Sequence, residues 1–236
     1  MLNETFYLDG VDALSVGIKL QKNIEFSEAV PIVETTKIPG RNGVLIFDTG
    51  AYENRKGEAS CFALDENVSN VISKASAFLL SEHGYRRLEC SDDPTHFWRA
   101  RVKNGARVES RLRTLNPFEI VFDCMPQKWV KAGEHLVEFT ENGSLHNDYG
   151  GVALPLITVY GVGSGVIEIG SYAVSINSID GILHLDSETQ NAYNDNGNQN
   201  LNISAAEFPK LVRGDNNVSF SGDITKVEIV PRWWDK

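Results

Sequence analysis

Few groupings of side chains in this 236-residue sequence are of the kind that exchange protons, attack carbonyls or hold ions. Asp186 and Glu188 stand two apart; on a strand both carboxylates share one face and imitate the acid pair of a glycosidase. Hydrolysis needs such a pair in a cleft that drives the two pKa values apart, and nothing around these two implies burial, so solvated carboxylates at a strand end are the plainer reading. His83, His96, His135, His146 and His184 show no His-x-x-x-His spacing, and surface or singly bonded imidazoles are expected, with no metal. Cys61, Cys90 and Cys124 are odd in number and far apart, each within an apolar or alternating run. They read as buried, reduced thiols rather than nucleophiles or a disulfide scaffold. Gly161-Val162-Gly163-Ser164-Gly165 suggests a nucleotide loop, but a phosphate-binding turn needs a following helix and Val166 onward alternates as a strand, so a glycine-rich hairpin is expected. Arg213-Gly214-Asp215 spells an adhesion tripeptide that a Gly-Asp turn opening a strand explains without a partner. With no serine elbow and no phosphate loop, the chain shows no active site, and the expectation is a protein that is not an enzyme and carries no cofactor.

The elements that would position these residues are mostly strands. Asp9-Gly10 between Phe6-Tyr7-Leu8 and Val11 is a two-residue signal for a type I′ hairpin, and a third short strand follows over Gly17 to Leu20. Ile32 to Ile38 is largely β-branched, Pro39-Gly40-Arg41-Asn42-Gly43 suits a tight turn, and Val44 to Phe47 resumes the strand, giving a long second hairpin with Arg41 at its tip. The one helix is expected at 67–81, where Val68, Val71, Ile72, Ala75, Phe78 and Leu79 make an apolar face, Asp65 or Asn67 caps the start and His83-Gly84 marks the stop. Strands are expected at Tyr85 to Cys90, His96 to Val102, Arg107 to Leu115 and Phe118 to Cys124. The glycines between Pro126 and Gly151 mark a boundary, dividing the chain into domains 1–132 and 133–236.

In the second domain, strands are expected at Leu154 to Tyr160, Val166 to Ile169, Tyr172 to Ile176 and Ile182 to Leu185, with a turn at Asp180-Gly181 and a polar loop from Asn191 to Asn202. After a turn at Gly214-Asp215-Asn216, Thr225, Val227 and Ile229 face one way and Lys226 and Glu228 the other. Pro231 ends that strand, leaving Arg232-Trp233-Trp234 as a cationic, aromatic cap. The fold class is mainly β with one helix, and short strands punctuated by turns point to a β-sandwich. Lys and Arg number 22 against 32 Asp and Glu, a net charge of −10 that repels phosphate and disfavours sequence-reading contact with nucleic acid. No apolar run reaches the ~20 residues needed to span a bilayer, and Asn3 and Glu4 stand where a signal peptide is basic, so a soluble protein synthesised in a cytoplasm, with no membrane partner, is expected.

Several motifs in fixed order carry a family likeness. Gly181-Ile182-Leu183-His184-Leu185-Asp186-Ser187-Glu188, Tyr193, Glu207-Phe208-Pro209-Lys210-Leu211, Gly214-Asp215-Asn216-Asn217 and Val230-Pro231-Arg232-Trp233-Trp234 follow one another in the second half. In the first half stand Ile38-Pro39-Gly40-Arg41-Asn42-Gly43, Tyr52-Glu53-Asn54-Arg55, Tyr85-Arg86-Arg87-Leu88 and Ser91-Asp92-Asp93-Pro94. Together they resemble the distal tail protein (Dit) family of siphophages infecting Gram-positive bacteria, over nearly the whole chain. The resemblance implies an N-terminal ring-forming domain, a β-barrel or split sandwich bearing the helix and the long hairpin, and a C-terminal galectin-like β-sandwich. It also implies a structural virion protein made in the cytoplasm of a bacterial host, from an active phage or a prophage. Its expected place is the distal end of the tail, as a homohexameric ring, single or stacked. The expected partners are the tail tube protein, a tail-associated lysin or tip protein, and a baseplate or receptor-binding protein.

A ring needs unlike patches that meet head to tail and close after a fixed rotation. Sheet edges and the Val33 to Phe47 hairpin offer them by strand addition; Pro39, Gly40, Arg41, Asn42 and Gly43, with Arg232, Trp233 and Trp234, are the expected contacts. The alternative reading is a carbohydrate-binding β-sandwich for host-surface attachment, with Trp98, Trp129, Trp233, Trp234 and Tyr172 as stacking platforms, although core or interface roles suit each as well. A glycoside hydrolase built on Asp186 and Glu188 ranks last.

Overall fold

The computed structural model describes residues 4–63, 68–105 and 118–235. The expected strand at Arg107 to Leu115 and the helix caps Asp65 and Asn67 lie outside them. Two compact units divide the chain, Met1–Lys128 and Trp129–Lys236. Both are built from antiparallel strands, and the described residues hold one α-helix.

Unit 1 contains β1 (Phe6–Leu8), β2 (Val11–Asp12), β3 (Ile18–Leu20), β4 (Glu25–Phe26), β5 (Pro31–Thr36), β6 (Leu45–Tyr52), β7 (Arg55–Ala63), α1 (Val68–Leu80), β8 (Arg86–Cys90), β9 (Asp93–Val102) and β10 (Phe118–Cys124). Asp9 and Gly10 both take positive φ (50° and 79°), the geometry a type I′ turn requires, and β1 pairs β2 across them. The main sheet runs β2-β1-β8-β9-β10-β7-β3, with β4 also on β7. Alternation along β10 buries Phe118, Ile120, Phe122 and Cys124 against Phe6, Leu8, Ala59, Cys61 and Leu88. The helix adds Ala75, Phe78 and Leu79 to the same core, and Phe6 meets Phe122 edge-on with centroids 5.7 Å apart. The apolar face of α1 is thus a packing face. Strands β5 and β6 stand apart as a two-stranded sheet of their own.

The second unit begins within β11 (Lys128–Val130) and continues through β12 (Val137–Phe139), β13 (Gly143–Asn147), β14 (Leu156–Ile169), β15 (Tyr172–Asp186), β16 (Asn191–Asn194), β17 (Gly197–Asn198), β18 (Ile203–Ala205), β19 (Gly214–Val230) and β20 (Trp234–Asp235). Its sheet runs β12-β19-β14-β15-β16-β17, with β13 on β19 and β18 on β15. Three long strands replace the short ones expected. The run Gly161 to Gly165 is no hairpin: it lies inside β14, where the register against β15 and β19 shifts. Gly181, expected in a turn, sits in mid-strand opposite Gly161 with φ 82°. The close approach of neighbouring backbone requires glycine here, because a Cβ on Gly161 would lie 2.3 Å from the Asp223 carbonyl oxygen. A second irregularity shifts β19 between Ile224 and Lys226, which leaves Thr225 exposed and corrects its expected place beside Val227 and Ile229. These bends curl the sheet, so that both halves of β14, Ile157 and Val159 and then Ile167 and Ile169, bury into one core.

Candidate self-assembly surface

Among the described residues no group of His, Cys, Asp or Glu is arranged to hold a metal ion. Asp186 ends β15 while Glu188 lies in the turn beyond, so the two do not share a strand face as expected. Asp186 is buried, and its Oδ1 accepts from Arg232 Nη1 at 2.6 Å and from the Glu188 backbone N–H at 3.1 Å. Burial opposes the charge on this carboxylate, but the Arg232 guanidinium outweighs it and holds the group below its usual range. A general acid needs the opposite shift. Glu188 also reaches Arg232, at 3.3 Å. The pair is a staple closing the unit's C-terminus.

The rest of that C-terminal segment is similarly engaged. Arg232 takes a left-handed φ of 57°, and its N–H donates to the Gly133 carbonyl at 2.7 Å. Trp233 is part of the core, and Trp234, half-buried, donates Nε1–H to the Val152 carbonyl at 3.0 Å. Trp98 is buried and stacked on Phe26 with centroids 4.0 Å apart, Trp129 is buried, and Tyr172 is half-buried beneath the Lys210 ammonium. Cys61, Cys90 and Cys124 are buried and free, and burial pushes each thiol up to about 12. His146 bonds Asp215 through Nδ1 at 2.5 Å on an exposed surface, and His184 meets Thr158 at 3.0 Å and the Tyr193 ring.

The hairpin β5–β6 is the exception to this pattern of engaged side chains. Leu45 pairs with Thr36, Ile46 with Thr35, Phe47 with Glu34 and Asp48 with Val33. Because side chains alternate, Leu45 and Phe47 share one face and Val33 and Ile46 the other, and among the described residues neither face is covered. Ile46 is 60% exposed, Phe47 54% and Val33 45%. Strand β6 runs on to Tyr52, longer than the Val44 to Phe47 expected. At the tip lie Pro39, Gly40, Arg41, Asn42 and Gly43, all exposed, with Gly40 and Gly43 at φ 79° and 82° and the Arg41 N–H donating to the Ile38 carbonyl at 3.1 Å. The base is tied by the Glu53 N–H to the Val30 carbonyl at 2.8 Å.

An isolated two-stranded hairpin is marginally stable in water. This one shows apolar side chains on both faces and, among the described residues, pairs its two strands only with each other. The sequence located this hairpin but not its exposure, since β-branched alternation reads the same whether a face meets a core or another molecule.

No protein-family model matches the chain, and no curated protein matches it at a significant level. Among solved structures, the Dit protein (gp 19.1) of phage SPP1, described as a paradigm of the hub adsorption apparatus in phages infecting Gram-positive bacteria, aligns with it at a TM-score of 0.71. The alignment covers 96% of this chain and 97% of that one, at 14% sequence identity. The chain therefore has the fold of a phage distal tail protein, the fold that the spaced motifs implied.

Proposed function

We propose that this protein is the distal hub of a siphophage tail, a ring of six copies that joins the tail tube to the tip or baseplate and its receptor-binding proteins. The observation that carries the reading is the fold shared with the SPP1 hub protein along nearly the whole chain. The uncovered hairpin supports it, because a closed ring needs a patch on each copy that fits a different patch on the next. In this reading unit 1 forms the ring and its β5–β6 arm, with residues 39–43 at the tip, reaches the neighbouring copy. Unit 2 is the outward galectin-like domain. Arg232, Trp233 and Trp234 then hold that domain together and serve assembly indirectly. No reaction is assigned to the chain: its carboxylate pair is locked by Arg232.

Native mass spectrometry and negative-stain microscopy of the full chain test this. Hexamers, or stacked hexamers, with a central hole are expected. A strict monomer at high concentration overturns the reading.

A further inference from the structure

Arg55 opens β7 directly opposite Cys124 of β10 and is only 6% exposed. Its Nε and Nη2 are buried and, among the described residues, bond to nothing. A guanidinium carries five N–H donors and cannot give up its charge, so proteins bury it against an anion or a set of carbonyls. Arginine often buries its stem and keeps its head in water, but here the unpartnered buried atoms belong to the head.

Arg55 is also among the residues lining a recess of about 300 Å³, together with Asn54, Lys56, Lys103, Asn104 and Asp123. Most of the other polar groups there are already satisfied. Asn104 bridges the Glu119 carbonyl and the Val121 N–H at 2.7 and 2.9 Å, and Asn54 donates to the Tyr85 hydroxyl and to Asp123. Asp123 accepts two bonds from Arg101, at 2.9 and 2.8 Å, which neutralise it from another side, and Lys56 pairs with Glu58. Arg55 and Lys103 remain as cations without a carboxylate partner among the described residues.

We propose that this recess binds one small oxyanion, a carboxylate or phosphate group, with Arg55 as the fork that grips it and Lys103 as the second cation. Guanidinium geometry matches two oxygens of such a group, and the volume admits it with a few waters of roughly 30 Å³ each. The oxyanion comes either from solution or from an acidic side chain of a second copy, of which this acidic chain has many. The site stands whether or not the chain closes into a ring.

The test compares the wild-type chain with Arg55→Gln and Lys103→Gln, the exposed lysine guarding against a variant that merely misfolds. In the first arm, thermal unfolding is followed in dilute protein with inorganic phosphate at constant ionic strength. A dissolved anion raises the wild-type Tm by about 2–4 °C, and both variants lose at least half of that rise. In the second arm, self-association is measured by native mass spectrometry. A side-chain carboxylate instead weakens assembly by about tenfold or more in both variants while phosphate leaves wild type unmoved. If neither the phosphate response nor self-association depends on Arg55 and Lys103, the proposal is wrong; a chain that stays monomeric yet gains phosphate stability keeps this site and loses the ring.

Discussion

At Arg232 two unfavourable features sit in one residue, a left-handed backbone and a charge held in a half-buried position, and the carboxylates of Asp186 and Glu188 offset both. Arg232→Ala therefore leaves Asp186 buried without its cation and lowers stability by about 1–3 kcal/mol, measured by urea unfolding near neutral pH. The sign with acid follows from the lowered pKa of Asp186. The stabilisation is complete above the unfolded carboxylate range and is lost progressively as pH falls through the lowered folded pKa, so wild type and Arg232→Ala converge only in strong acid. Equal differences between the two at neutral and acid pH contradict the staple. The three cysteines give a second residue-scale test. With thiols pushed up to about 12 by burial, none reacts with a disulfide reagent in the folded protein, and all three react in denaturant. Their burial was legible in the sequence, because each lies in an apolar or alternating run. The sequence could not show Arg55, whose missing partner is visible only once β7 and β10 pair.

Among the elements, the long strands of unit 2 and the arm of unit 1 depend on opposite arrangements of neighbours. Gly161→Ala places a methyl group against the Asp223 carbonyl and costs about 1–3 kcal/mol or more, whereas Gly170→Ala, at a turn with open space and φ 57°, meets only backbone strain. Unfolding midpoints that fall equally in both variants would mean that close approach is not what requires glycine at 161. This also explains why glycine clusters misled the sequence reading. A turn and a strand irregularity both call for glycine, and what separates them here is the Asp223 backbone, more than 60 residues along the chain. The two elements fixed by local signals, the Asp9-Gly10 hairpin and the helical stripe ending at Leu79, were legible because nothing distant decides them. For the arm, Ile46→Asp and Phe47→Asp remove exposed apolar surface that supports no core, so monomer stability should move by less than about 0.5 kcal/mol. Self-association, measured by sedimentation, should fall by about tenfold or more if the arm carries the contact. Loss of monomer stability instead would place these side chains in a core of their own.

For the whole molecule, the proposed ring would bring together copies that each carry ten excess negative charges. Like-charged protomers repel over about 10 Å at 0.1 M salt, and added salt shortens that reach. Burial of Ile46, Phe47 and Val33 does not depend on salt in the same way, because it removes apolar surface from water. A ring held by such arms therefore tightens as salt rises from about 0.05 M to about 0.3 M, once repulsion is screened, and the hexamer fraction in sedimentation velocity increases. A ring held mainly by ion pairs, such as Arg55 gripping a neighbour's carboxylate, dissociates over the same range. The direction of that one titration separates the two contacts at the scale where they compete: a hexamer strengthened by salt and weakened by Phe47→Asp assigns closure to the arm, whereas one weakened by salt and by Lys103→Gln assigns it to the recess beside Arg55.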